Sequence, residues 1–128
     1  MTVQMSKIDT VGKILVDLED KVPDIIGSAV IRTNGLVIAS ALPSDSNERM
    51  IAAMSAALLG TSKRSAENLF NANFKSLNLE LDKGNMFLIE AGRVILVAIT
   101  KKEPNVGLMT LEMEDSSKIL KEIFKSEE

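Results

Sequence analysis

Residues 74–100, FKSLNLELDKGNMFLIEAGRVILVAIT, hold three β-rich runs in immediate succession. The last run, Val94-Ile95-Leu96-Val97-Ala98-Ile99, is apolar at every position. Side chains alternate across a strand, so an unbroken apolar run fits a strand with both faces covered. Val94 to Thr100 is therefore predicted to be a central strand in a sheet with helices on both faces. The first run, Phe74 to Leu81, reads differently. Lys75, Leu77, Leu79 and Leu81 point one way and Phe74, Ser76, Asn78 and Glu80 the other, giving one apolar and one mostly polar face. Asp82-Lys83-Gly84-Asn85 and Gly92-Arg93 are turn sequences that connect the middle run, Met86 to Ala91, to its neighbours. A sequential meander leaves Phe74–Leu81 at the sheet edge, where a long strand with an apolar face exposes unpaired backbone groups.

Upstream, Ile25 to Arg32 and Leu36 to Ser40 are two further β-rich runs joined by Thr33-Asn34-Gly35. Asn-Gly accommodates positive φ and predicts a hairpin, whose first strand pairs on the far side of Val94–Thr100. Before it, Ile8, Val11, Leu15, Leu18 and Val22 recur at helical spacing, predicting a helix from Ser6 to about Lys21 that stops at Pro23-Asp24. Asp45 with Glu48 reads as a capping-box-like start for a middle helix that runs to about Phe70 and ends at Asn71 to Asn73. A last helix spans about Asn105 to Lys125, acidic in its first half and basic in its second, an order that suits the helix dipole. The element order is α-β-β-α-β-β-β-α, an α/β fold with a five-stranded, mostly antiparallel sheet. No repeat or linker divides the chain, so residues 1–128 read as one domain, ordered over about 6–125 and frayed at 1–5 and 126–128.

With 128 residues, 45% of them hydrophobic, the core needs neither disulfides nor metal. The absence of Cys, His, Trp and Tyr removes thiolate nucleophiles, imidazole bases, Cys/His zinc sites and haem ligation. A net charge of -3 and 3% aromatic residues argue against a nucleic-acid partner. The apolar stretches are too short for a membrane span and the N-terminus carries no targeting pattern, so a cytoplasmic protein is expected.

The middle helix carries more apolar surface than one packing face needs. Met50, Met54, Leu58, Ile51, Leu69, Ala66, Leu59 and Phe70 spread over roughly 200° of the wheel, against about 100° for a single stripe. Ala53, Ala56, Ala57 and Gly60 extend this region with side chains small enough for another helix to approach closely. A core helix covered on two sides within one chain would account for the helix excess alone, whereas helix excess and open edge strand are resolved together by one two-fold axis, which pairs the edge strands of two copies and sets their middle helices side by side. The expected dimer interface is Ala53, Met54, Ala57, Leu58, Gly60, Thr61 and Arg64 on the helix, with Lys75, Ser76, Leu77, Asn78 and Leu79 on the strand.

At these residues the sequence resembles the roadblock/dynein light chain family. The resemblance is carried by Ile31-Arg32-Thr33-Asn34-Gly35-Leu36-Val37-Ile38-Ala39-Ser40, Ala52-Ala53-Met54-Ser55-Ala56-Ala57-Leu58-Leu59-Gly60, Leu81-Asp82-Lys83-Gly84-Asn85 and Val106-Gly107-Leu108. It implies a profilin/longin-like roadblock fold that dimerises through its third strand and second helix, matching what the face patterns require. It further implies a non-catalytic scaffold or regulator of a Ras-like small GTPase, modulating its GTP hydrolysis or localisation. An arginine supplied in trans would come from Arg64 or Arg93. The alternative from another class is a small-molecule sensor with a pocket between sheet and helix.

No catalytic, cofactor-binding or metal-binding residues are expected. Gly60-Thr61-Ser62-Lys63 lacks the glycine spacing of a phosphate loop and falls inside a helix. Asp45, Asn47 and Glu48 suit a helix cap better than a calcium loop. Ser55, Ser62 and Ser65 have no base beside them in sequence to activate them. Glu80 reads as solvated or lining the seam, Asp82 as a turn former, and Gly84 and Gly92 as turn glycines. Lys63, Arg64 and Glu67 form the charged side of the middle helix, which reads as a solvated face or, alternatively, as a surface that steers an acidic patch on a partner.

Overall fold

A computed structural model describes residues 6–127. Of the expected frayed ends, 1–5 and 128 lie outside the described residues, while 126–127 belong to a closing 3₁₀ turn. The elements are α1 (Lys7–Lys21), β1 (Ile25–Arg32), β2 (Val37–Ala41), α2 (Glu48–Phe70), β3 (Ser76–Leu81), β4 (Gly84–Ala91), β5 (Val94–Thr100) and α3 (Val106–Ile123), followed by a 3₁₀ turn, Lys125–Glu127. The strands form one sheet in the order β2-β1-β5-β4-β3, with every pairing antiparallel.

The all-apolar run is β5, the middle strand of the sheet, buried on both faces. On one face Val30, Leu96, Ala98 and Phe87 meet Val11, Leu15 and Leu18 of α1 and Met109, Met113 and Leu120 of α3. On the other, Ala29, Ile31, Leu88, Ile95 and Val97 meet Ala52 and Leu59 of α2. Burying a large aliphatic side chain contributes about 1.5–3 kcal/mol, so these two layers hold the sheet between its helices. Ser28, fully buried on the α1 face, donates its hydroxyl hydrogen to the Glu19 carboxylate.

Several local expectations are corrected. Gly35 alone takes positive φ in the β1–β2 turn, at 91°, while the Asn34 side chain accepts the Leu36 N–H at 3.1 Å. With the Gly35 N–H donated to the Arg32 carbonyl, this is a three-residue turn with a glycine bulge, so only the glycine needs the left-handed region. The cap of α2 is Asn47, whose Oδ1 accepts the Met50 N–H at 3.1 Å, and not Asp45. Asp45 belongs to the turn closed by the Ser46 N–H on the Pro43 carbonyl, and Glu48 instead accepts the Ser40 hydroxyl. Helix α2 ends at left-handed Asn71, φ 50°, as the Asn71–Asn73 break implied.

The strand predicted from Phe74 begins at Ser76, and Phe74 packs into the α2-side cluster rather than lying on the wet face. Outside the regular strand, side-chain alternation no longer assigns its face. The β3–β4 turn is only Asp82-Lys83, so Gly84 and Asn85 are strand residues.

One carboxylate fastens the end of the sheet. Asp24 accepts the Asn105 N–H at 2.8 Å and pairs with Lys101 Nζ at 3.2 Å, joining the start of β1 to the loop before α3. The Asn105 N–H, and next the Lys101 ammonium, hold its carboxyl below the usual aspartate value.

Candidate interaction surface

Strand β3 has β4 on one side and no strand on the other among the described residues. Its six residues are mostly exposed, with only Leu77 half-buried. Leu77 sits opposite Leu88 and joins the α2-side cluster, and Leu79 pairs with Met86 on the same face. Leu81 follows them and is 54% exposed. Ser76, Asn78 and Glu80 alternate onto the α3 side. The alternation read from the sequence thus holds along β3.

Helix α2 lies on the sheet through Ala52, Ser55 and Leu59, all buried. Ser55 turns its hydroxyl back to the Ile51 carbonyl at 2.7 Å, so it enters a tight interface with its donor satisfied. Small residues make this contact, and the large ones flank it. Met50 and Met54 are about half exposed, and Leu69 and Phe70 at the far end are 73% and 78% exposed. Leu58 is half-buried beside Leu77 and Phe74. Met54, Ile51, Ile26, Leu81, Met86 and Ile99 line an apolar groove of about 270 Å³ between α2 and the sheet.

The structure therefore brings Met54, Leu58, Leu77 and Leu79 onto one side of the sheet. Ala53, Ala57, Thr61 and Arg64 are exposed along α2, and Gly60 is half-buried. The Arg64 guanidinium bends back to the Thr61 hydroxyl at 3.4 Å. Lys75 precedes β3, and Ser76 and Asn78 lie on the opposite face from the helix. Of the steering residues, Lys63 is engaged within the chain, its Nζ 2.9 Å from the Glu90 carboxylate on β4. Glu67 is exposed beside Asn71 and Phe74. Gly60–Lys63 lies inside α2, as expected. Sequence reading counted Met50, Leu69 and Phe70 in the apolar excess of α2 and Leu81 on the apolar strand face, but left all four out of the expected dimer interface. The Leu77-Leu79-Leu81 alternation was the signal for the last of these.

An antiparallel five-stranded sheet between one helix and two, with this half-covered margin, defines a known class. The chain belongs to the Roadblock/LC7 domain family, which matches residues 12–100. Two uncharacterized proteins of Methanocaldococcus jannaschii are each 31% identical over 114 residues, covering 89% of this chain and 99% of theirs. Among solved structures, an MglB with a tetrameric arrangement superposes with a TM-score of 0.87 at 16% identity, over 98% of this chain and 96% of that one. MglB of Myxococcus xanthus gives 0.86 at 20% identity with the same coverage. Profilin II of Acanthamoeba castellanii gives 0.62 at 15% identity, over 87% and 93% of the two chains, so the profilin-like fold is shared. No helix among the described residues is long and apolar enough to cross a membrane.

Proposed function

We propose that the chain forms a homodimer through β3 and α2 and serves as a non-catalytic docking platform for a Ras-like small GTPase. The observation that carries the dimer is the apolar margin itself. Leu77, Leu79 and Leu81 lie on an open strand edge beside the uncovered flank of α2 that bears Met50 and Met54. A second copy placed by a two-fold axis covers both at once, with Ala53, Ala57 and Gly60 letting the helices approach closely. The GTPase rests on family membership and on the likeness to MglB folds, one of which is described with a tetrameric arrangement. Such a platform acts by favouring one conformation of the bound GTPase, either holding it in place or ordering its own hydrolytic residues. An arginine supplied in trans, Arg64 or Arg93, is the alternative in which the platform itself adds a charge to hydrolysis.

The test is to mix the purified protein with Ras-like GTPases of the same genome, loaded with GDP or a GTP analogue, and to measure complex mass and GTP turnover. A complex in one nucleotide state supports the reading. If no GTPase binds in either state, the partner is wrong, whereas a monomeric mass at all concentrations removes the dimer.

A further inference from the structure

The sheet face opposite α2 carries a second surface, between β3, β4 and α3. There a small cavity of about 80 Å³ opens to the outside, with Phe87, Ile89 and Met113 at its base and Asn78, Thr110 and Glu114 at its mouth. Val106 at the start of α3 joins it to a wider groove of about 380 Å³, bordered by Glu80, Asp82, Lys102 and Glu103. Asn85 sits at the junction. It is 4% exposed and donates to the Asn78 side chain at 3.1 Å, fixing a polar step between the apolar hole and the charged groove. Glu103, in the loop before α3, holds a left-handed φ of 52°.

Size and charge together select the occupant. The hole is far below the roughly 300–1,000 Å³ of metabolite pockets and below the about 150 Å³ that takes a benzene, so it fits the end of one aliphatic side chain; the groove beside it reaches metabolite size but is bordered by charged rather than apolar side chains. Four carboxylates, Glu80, Asp82, Glu103 and Glu114, face one ammonium, Lys102, around the mouth and groove. Along β3 the hole lies beside Asn78 and the groove beside Glu80 to Asp82. At about 3.3 Å per residue, an extended chain laid parallel to β3 covers that separation in about two to four residues.

We propose that this face binds an extended peptide segment of another protein, which inserts one aliphatic side chain into the hole and sets Lys or Arg in the acidic groove about two to four residues away. The site is built within one chain on the other face from α2; its hole shares Ser76, Leu77 and Asn78 with the expected dimer interface, while the acidic groove shares no residue with it.

The probe is a set of fluorescein-labelled eight-residue peptides carrying Leu, Ile or Met at one position and a Lys-Lys or Arg-Arg pair two to four residues later. Controls replace the pair by Glu-Glu or the aliphatic residue by Ser. Anisotropy against the full chain is expected to show saturable binding for at least one Lys or Arg peptide, at least tenfold weaker for both controls. Added salt should weaken that binding by screening the groove. Thr110→Trp, which plugs the hole, and Glu114→Lys, which reverses charge at its mouth, should each weaken it at least tenfold. Both lie on α3, and light scattering and circular dichroism should show unchanged mass and helix content. Amide shifts on titration should centre on Ser76, Asn78, Thr110 and Glu114. No saturable binding by any Lys or Arg peptide, equal binding by the Glu-Glu controls, or shifts centred on α2 would each overturn the proposal. So would shifts at Thr110 and Glu114 that follow protein dilution alone, which would make a second copy the occupant; Ser76 and Asn78 lie on the expected dimer strand and respond to dilution in either case.

Discussion

Replacing Gly84 by alanine should destabilise the protein although the backbone there suits any residue. Gly84 opens β4 opposite Leu81, and a Cβ at that position would lie 2.4 Å from the Thr100 carbonyl oxygen. Even close carbon–oxygen contacts keep about 3.3 Å, so the methyl group is roughly 1 Å short of room. The obstacle is backbone in the pairing between β4 and β5, which moves only if the ladder moves. Overpacking of this kind costs about 1–3 kcal/mol, and removing a strand glycine returns about 0.5–1 kcal/mol of chain entropy. Because the obstructing atom is main chain at 2.4 Å, the cost falls in the upper part of its range, and the net is about 1–2 kcal/mol, or a fall in Tm of roughly 3–8 °C for a chain of 128 residues. Gly12 is the control, since a Cβ in that α1 position meets nothing within 4 Å. Gly12→Ala should gain about 0.5–1 kcal/mol through helix propensity. Thermal melts by circular dichroism at one fixed protein concentration compare the two. A Gly84→Ala variant within about 1 °C of wild type, or shifted upward like Gly12→Ala, would refute the close-approach argument and return Gly84 to the role of a turn glycine.

A charge at Leu77, as in Leu77→Lys, should give monomer or aggregate by light scattering, while Phe74→Ser should lower stability by about 1–3 kcal/mol and leave the mass unchanged. Ser55→Leu should cost about 1–3 kcal/mol in urea unfolding, because the buried contact of α2 with the sheet has no space for a larger side chain. Asp24→Asn should destabilise at pH 7, and its gap from wild type should close as pH falls. A carboxyl whose pKa is depressed by folding stabilises above its unfolded value near 4 and loses that contribution as pH drops through the folded one. Urea melts at pH 7 and pH 3 check this, and a gap of equal size at both would contradict it.

Much of the architecture is written in local pattern. The all-apolar Val94–Ile99 run, the alternation of Leu77, Leu79 and Leu81 and the Thr33-Asn34-Gly35 turn each carry their own period or turn chemistry. What escapes the sequence depends on contacts between distant segments. Gly84 looks like a turn glycine until the Thr100 carbonyl is placed beside it. Ser55 looks like a helix-surface serine, yet its small size is what lets α2 settle on the sheet. Hydropathy drew attention to Met50, Met54, Leu69 and Phe70, whereas the buried contact is made by Ala52, Ser55 and Leu59. For the interaction surface, charge pattern offered Lys63 to a partner, and only the fold reveals that Glu90 already engages it. The hole between β3 and α3 has no sequence signal, because its walls come from segments some thirty residues apart.

The two rims of the sheet are unlike. At one, β2 is five residues long and its pairing with β1 slips between Val30 and Ile31, while at the other β3 stays in unbroken step with β4 over six. A ribbon with two equally inviting margins can add copies without end, the route to fibres. A neighbour added at the unbroken margin would leave only the kinked one at each outer rim, so growth by strand addition would halt after a single step.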